Sequence, residues 1–308
     1  MRHGVPSEHI YVNGNPSFEL YREPYCKFFP SRSELAVRHS LSKGCRWLFF
    51  PENYFWAMCS NVAETYIRRG ASPESVAAHR DASKRSLAEV VQWWGRVAEE
   101  MDVEIIVRPR PAVPARRWIQ TFEEGLGQIP ECIHIIKEGS VREWVLACDA
   151  VFSSYSTTLL EAAIAGRPAY MLEPVPCPEC YQAPWYNTLP HITTLEEMMS
   201  ACNNGEGLVS EQLQAYAQRE GLPCIDAFDG LCQLLFDLRK QSVRPAVRNT
   251  SPRWMPRLRK GLLRFMGKNG GVSRDLFECD EFTQDDVRAG VKRWETTIGE
   301  VVGRVPRP

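Results

Sequence analysis

The stretch VREWVLACDAVFSSYSTTLLEAAIAGRPAYML, from Val141 to Leu172, decides the fold. It predicts a helix, a buried strand at Ala150–Ser153, a hydroxyl-rich turn, a second helix ended by Gly166-Arg-Pro168, and a strand at Ala169–Leu172. A strand followed directly by a helix is the repeating unit of a parallel α/β sheet. Ligands of such sheets bind at the carboxyl ends of the strands, where this turn lies.

The rest of the chain repeats the alternation of buried strands and helices. Further strands are predicted at Arg46–Phe50, Val103–Val107 and Ile133–Ile136, and helix starts at Ser72-Pro-Glu74, Ser140-Val-Arg-Glu143 and Thr194-Leu-Glu-Glu197. Strands that alternate with helices favour an α/β fold with a doubly wound, Rossmann-like parallel sheet.

The sequence divides into a main domain and a basic tail. Residues 1–238 are predicted to form the main domain, and its entry segment, residues 1–44, is expected to be irregular because prolines and glycines interrupt it. Residues 239–308 are predicted to form a helical tail, which carries no Asp or Glu from Arg239 to Arg274. An amphipathic helix within residues 250–270 could bind an anionic membrane surface or pack on the main domain.

Bulk composition excludes several classes of protein. The net charge of −1 predicts no nucleic-acid partner. The first eight residues do not form a signal peptide, and no apolar run reaches the roughly 18 residues of a membrane helix. Eleven cysteines, an odd number, favour reduced thiols in the cytoplasm. The pair Cys177-Pro-Glu-Cys180 lacks a second pair for zinc, so no metal site is predicted.

Hydroxyl side chains cluster where the strand Ala150–Ser153 ends. Ser153, Ser154, Ser156, Thr157 and Thr158 are predicted phosphate contacts, because a helix start offers unpaired backbone N–H groups. Simple helix capping without a ligand is the alternative.

Two arginines follow the second predicted strand. Arg108 and Arg110 alternate with prolines that restrict the loop, and guanidinium groups bind phosphate or carboxylate with two parallel hydrogen bonds. A solvent-facing pair is the alternative interpretation. The arginines are therefore predicted to bind the phosphate or the carboxylate of a ligand.

A carboxylate one turn into the second helix could hold ribose. Glu161 is predicted to accept hydrogen bonds from ribose hydroxyls, as acidic residues do in other nucleotide-binding folds. The alternative is that its negative charge only stabilises the helix through the helix dipole. Weaker candidates at neighbouring strand ends are Asn53, Lys137 and Glu138. The lone histidines His134 and His191 receive no role.

Several catalytic motifs are missing from the sequence. It contains no GxGxxG, GxxxxGK[ST], GxSxG or HExxH pattern and no Asp-x-Asp. Ordinary dehydrogenase, P-loop, esterase and zincin functions are therefore disfavoured.

These residues together resemble a known family. The matching pieces are Gly4-Val-Pro6, Ile10–Pro16, Phe50-Pro-Glu-Asn53, Val107-Arg-Pro-Arg-Pro111, Trp144–Asp149, Ser156-Thr-Thr-Leu-Leu-Glu161 and Gly166-Arg-Pro168. Over about residues 4–175 they resemble the C-terminal half of bacterial surface-carbohydrate glycosyltransferases with the GT-B fold, including Kdo-transferase-like members. The resemblance implies that this half binds a nucleotide-sugar donor, such as a CMP-linked one, as substrate without a further cofactor.

The chain also departs from the family pattern. The family often has Arg-Pro-His-Pro where this chain has Arg108-Pro-Arg-Pro111, and Gly-Asn-Pro-Arg where it has Gly14-Asn-Pro-Ser17. Gly4-Val-Pro6 matches a stretch near the crossing between the two family domains. The N-terminal acceptor domain is therefore expected to be missing or supplied by a partner chain.

The catalytic residues stay unassigned, because in the family they usually come from that other half. Without it, the chain is expected to bind donor but to lack the wall that aligns a glycan or lipid-linked acceptor. A cytoplasmic location, peripheral at the inner face of the membrane through residues 250–270, follows as an expectation. The alternatives are a CDP-glycerol-type glycerophosphotransferase and a non-catalytic nucleotide-binding or interaction subunit.

Overall fold

Six parallel strands form a single sheet in the computed structural model, which describes residues 10–59, 61–176, 182–203, 210–221, 227–240 and 283–302. The strands are β1 Arg46–Pro51, β2 Val103–Arg108, β3 Ile133–Ile135, β4 Ala150–Ser153, β5 Ala169–Leu172 and β6 His191–Ile192. Their order in the sheet is β3-β2-β1-β4-β5-β6. The chain runs outward from β1 to one edge and then crosses to the other side, so β1 and β4 flank the switch point of a Rossmann-like sheet. The predicted fold class is confirmed.

Helices connect the strands and cover both faces of the sheet. They are α1 Pro16–Glu19, α2 Arg32–His39, α3 Phe55–Met58, α4 Asn61–Arg68, α5 Pro73–Glu100, α6 Ala115–Leu126, α7 Val141–Ala147, α8 Thr158–Ile164, α9 Leu195–Asn203, α10 Glu211–Gly221, α11 Ala227–Lys240 and α12 Gln284–Val302. None of the helices in the described ranges is both long and apolar enough to cross a membrane.

The core lies on both faces of the sheet because side chains alternate along each strand. In β1, Trp47 and Phe49 pack on one face, and Leu48 and Phe50 pack on the other. All four are fully buried. Burying a side chain of this size stabilises the fold by about 1.5–3 kcal/mol, so the apolar run fixes β1 at the centre.

Local signals place the helix ends. The Ser72 hydroxyl accepts the N–H of Ser75 at 3.1 Å and Pro73 occupies the first turn, which confirms the predicted start of α5. At the start of α9, Thr194 and Glu197 exchange the two hydrogen bonds of a capping box, each 3.2 Å long. These contacts satisfy N–H groups that a helix start leaves unpaired.

The entry segment is more ordered than expected. We expected irregular structure over residues 1–44, yet α1 and α2 lie within it. The Ser31 hydroxyl accepts the N–H of Glu34, and the Glu34 carboxylate accepts the N–H of Ser31. This capping box begins α2 directly after Pro30, so the proline separates short helices and does not prevent them.

Part of the tail prediction can be followed in the structure. Helix α12 confirms a helical C-terminal element, although its sequence carries acidic as well as basic side chains. Gly4-Val-Pro6, Cys177-Pro-Glu-Cys180 and the amphipathic helix of residues 250–270 lie outside the described residues. The predicted domain boundary after residue 238 stays a prediction.

Candidate functional site

A cavity of about 590 Å³ opens at the carboxyl ends of the strands. Its walls are the segments that follow β1, β2 and β4, the first turn of α7, and Tyr186. The cavity therefore lies beside the β1–β4 switch point, where ligands of doubly wound sheets bind. Of the predicted site residues, it brings together Asn53, Arg108, Arg110 and the turn Ser156–Thr158.

Arg110 is an exposed cation on the wall of this cavity. Its guanidinium donates to the Asn53 side-chain oxygen and lies 4.8 Å from the centre of the Phe55 ring. A guanidinium group has five N–H donors, so the contacts with Asn53 and Phe55 leave further N–H groups that can donate to a ligand. The geometry suits binding of an anion.

Arg108 has a different environment. Its guanidinium donates to the carbonyls of Lys137, Glu138 and Gly139 at 2.9, 2.7 and 2.6 Å. It therefore ties the end of β2 to the loop after β3, although part of it also lines the cavity. Lys137 is buried and Glu138 is exposed, and neither lines the cavity.

Asn53 joins the two halves of the sheet at the switch point. Its amide nitrogen donates to the Tyr155 carbonyl at 2.7 Å, while its oxygen accepts from Arg110. One side chain thus connects the segments after β1, β2 and β4. This weak candidate from the sequence occupies a central place in the cavity wall.

Glu52 is a buried carboxyl group that sequence reasoning missed. It is 3% exposed, and its two oxygens accept the backbone N–H groups of Tyr54 at 2.7 Å and Arg110 at 2.8 Å. Burial raises the pKa of Glu52, and the two N–H groups and the Arg110 charge oppose that rise. An acidic residue between buried Phe50 and Tyr54 was the available signal, because an inward-facing carboxyl group needs donors.

The hydroxyl turn after β4 faces the cavity through three residues. The Ser156 hydroxyl accepts the N–H of Thr158 at 3.3 Å and lies 3.2 Å from the Thr158 hydroxyl. Within the described part of the chain, the backbone N–H groups of Ser156 and Thr157 donate to no backbone carbonyl. A ligand oxygen could accept them, and the phosphate contact of this turn stays a prediction.

The other two serines of the turn do not line this cavity. Ser153 is fully buried and donates its hydroxyl to the Pro51 carbonyl at 2.5 Å. Ser154 is 2% exposed and lies on a smaller neighbouring cavity beside Tyr54 and Ser83. This placement does not support the predicted phosphate contacts of Ser153 and Ser154, because the Ser153 hydroxyl is bonded to Pro51 and Ser154 lies on the other cavity.

Glu161 lies one turn beyond the hydroxyl turn, outside the lining of the cavity. Its half-buried carboxylate accepts the hydroxyl of Tyr21 from the entry segment. Burial raises its pKa, while the Tyr21 hydrogen bond and the Arg142 charge act in the opposite direction. For the expected ribose contact, this carboxylate would have to lose the hydrogen bond from the Tyr21 hydroxyl and accept one from a ribose hydroxyl in its place.

Tyr186 also lines the cavity. It begins a 3-10 turn, Tyr186–Thr188, that nothing in the sequence pattern marked. Among the described residues, no group of three or more His, Cys, Asp or Glu side chains could hold a metal ion.

The chain is similar to known proteins at the level of the fold. No family model matches the chain, and no curated protein matches it. Among solved structures, the wall teichoic acid polymerase TagF is 12% identical, with 77% of this chain and 53% of that chain covered and a TM-score of 0.47. HepE of Anabaena, in complex with UDP and glucose, is 12% identical, with 78% and 59% covered and a TM-score of 0.40.

A third solved structure is WaaG, a glycosyltransferase involved in lipopolysaccharide biosynthesis. It is 16% identical, with 72% of this chain and 55% of that chain covered and a TM-score of 0.39. The matched region spans little more than half the length of each of these structures.

Proposed function

We propose that this chain is the nucleotide-sugar-binding half of a GT-B glycosyltransferase that builds a surface polysaccharide. One observation carries the proposal: Arg110 and the turn Ser156–Thr158 line the same cavity at the β1–β4 switch point. Guanidinium, hydroxyl and backbone N–H groups are the donors that phosphate oxygens accept.

The donor phosphates would lie between Arg110 and the turn after β4. The backbone N–H groups of Ser156 and Thr157 and the exposed Thr157 hydroxyl would bind the phosphate oxygens from the other side. The cavity of about 590 Å³ has the size of a small-molecule site. Aromatic rings of Phe55 and Tyr186 on its wall offer apolar faces to a base or sugar.

Transfer also needs an acceptor site and a catalytic group. We assign no catalytic residue, and we propose that a further domain, in the same chain or in a partner, binds the glycan or lipid-linked acceptor. Such a domain would close over the open cavity and hold the two substrates in line. The peripheral membrane contact through residues 250–270 remains a separate prediction.

Isothermal titration calorimetry with UDP, CDP and CMP tests the proposal. At least one nucleotide should bind saturably, and Arg110→Ala should weaken that binding by about tenfold or more, because a hydrogen bond to a charged group is worth about 1.5–3 kcal/mol. The thermal unfolding midpoint should fall by only a few degrees, since Arg110 is exposed and its loss removes one hydrogen bond, that to the Asn53 side-chain oxygen.

Arg85→Ala is the matched control, because it removes the same positive charge from an exposed side chain on α5 that does not line the cavity. An equal loss of affinity in both variants would mean that overall charge alone attracts the nucleotide. If none of the three nucleotides bound, the non-catalytic interaction subunit would be favoured and the donor-binding proposal rejected.

A further inference from the structure

A hydrogen-bonded chain of three groups lies behind the Tyr186 wall of the cavity. His191, the first residue of β6, approaches the Glu173 carboxylate through Nδ1 at 2.5 Å. Its Nε2 approaches the backbone carbonyl of Tyr186 at 2.9 Å. Glu173 directly follows β5, so the chain links the edge of the sheet to the cavity wall.

The protonation state of the imidazole decides whether both contacts are hydrogen bonds. A carboxylate and a carbonyl are both acceptors, and only the imidazolium form of His191 donates from both nitrogens. The neutral ring carries a single N–H group, so one nitrogen lone pair must then face an acceptor. With the proton on Nδ1 beside Glu173, the lost bond is the one to Tyr186.

The surroundings favour the charged ring. Burial alone would lower the pKa of His191, but the hydrogen bonds to Tyr186 and Glu173 raise it above its ordinary value. Among the described residues, Glu173 is the charged group that acts on this imidazole. The ring is still about one-third exposed, at 30%, so it can exchange its proton with solvent.

We propose that His191 is a positioning residue for the nucleotide cavity, which it serves by holding the main chain of Tyr186 in place when the imidazole is protonated. Loss of the proton removes one of the two hydrogen bonds that the Tyr186 carbonyl accepts, leaves the N–H of Leu189 at 3.1 Å as the other donor, and thereby loosens one wall of the cavity. This inference rests on the proposed nucleotide-binding function and adds a pH dependence to that site.

The sign of the pH effect follows from the raised pKa. The Tyr186 bond is fully present below the ordinary histidine pKa of about 6.5 and is lost as pH rises through the higher value in the folded protein. Nucleotide affinity should therefore fall with rising pH. Secondary ionisation of a phosphate, with a pKa of about 6, adds negative charge as pH rises and would strengthen binding to arginine, which is the opposite direction.

Calorimetric titration from about pH 6 to about pH 9, with whichever of UDP, CDP and CMP binds most tightly, tests this inference in the wild type and two variants. The wild-type affinity should fall by about three- to tenfold, the worth of one hydrogen bond. In His191→Gln the amide N–H can donate to Tyr186 at every pH, so the fall should disappear and strong binding should persist. His191→Ala should bind weakly throughout, like the wild type at high pH.

His134→Gln is the matched control. His134 also lies 2.5 Å from a carboxylate, that of Glu104, but it is on β3 and does not line the cavity. This variant should keep the wild-type pH profile. Parallel profiles for the wild type and His191→Gln would overturn the positioning role while leaving nucleotide binding intact. Absence of binding by UDP, CDP and CMP alike at about pH 6 would instead reject the proposed function and the inference together.

Discussion

Replacing Glu52 by glutamine tests how the floor of the cavity is built. Both carboxylate oxygens of Glu52 accept buried backbone N–H groups, from Tyr54 and from Arg110. Glutamine keeps the shape and one carbonyl acceptor, but its NH₂ group then faces an N–H donor. Leaving one buried donor unpaired costs about 1–3 kcal/mol, so Glu52→Gln should lower the free energy of unfolding by that amount.

Alanine at the same position would leave both N–H groups unpaired. The expected cost is about 2–6 kcal/mol, twice the single value, which approaches the whole stability of about 5–15 kcal/mol of a typical domain. Glu52→Gln is therefore the variant to measure, because it should remain folded. Urea unfolding followed by circular dichroism gives the free energy directly.

The control is Glu89→Gln, the same change at an exposed position on α5. It should change the free energy of unfolding by no more than about 0.5 kcal/mol. Glu52→Gln should also weaken nucleotide binding, because it loosens the main chain of Arg110. If Glu52→Gln unfolded like Glu89→Gln, the two N–H bonds would not stabilise the cavity floor and the reasoning would be refuted.

Two further predictions concern the neighbourhood of the cavity. Gly139→Ala should destabilise the fold by about 1–3 kcal/mol, because the residue has a φ of 75° and an added Cβ would lie 1.7 Å from a Glu143 carboxylate oxygen. Adding Glu143→Ala should recover the steric part and leave the backbone strain, which urea unfolding of the single and double variants would show. Tyr21→Phe should lower the free energy of unfolding by about 1 kcal/mol through loss of the bond to Glu161. The same variant's nucleotide affinity, measured by calorimetry, should stay within about twofold of the wild type.

The sheet could be predicted because its strands are buried on both faces. Such strands are continuous apolar runs bounded by turn residues, which a sequence shows directly. The bounds of β4 and β5 were predicted correctly, and β1 extends one residue further, to Pro51. Strand β6 was missed because two residues, His191 and Ile192, carry no pattern.

The cavity residues were only partly predictable. The sequence located the strand ends and hence the loops, but it could not tell which polar side chains face the opening. Ser153 bonds to Pro51 and Arg108 to Lys137, partners 102 and 29 residues away. Such long-range contacts decide whether a hydroxyl or guanidinium is free, and local sequence does not contain them.

The role of Glu161 depends on which hydroxyl its carboxylate accepts. Tyr21 is 5% exposed and packs in the core. Its hydroxyl donates to the Glu161 carboxylate, so this hydrogen bond is part of the folded entry segment. If Glu161 served ribose, the Tyr21 hydroxyl would compete with the ligand, and Tyr21→Phe would tighten nucleotide binding. If Glu161 anchors the entry segment, the same variant costs stability and leaves affinity unchanged. Since Glu161 lies outside the cavity lining, we expect the second result, and tighter binding by Tyr21→Phe would refute it.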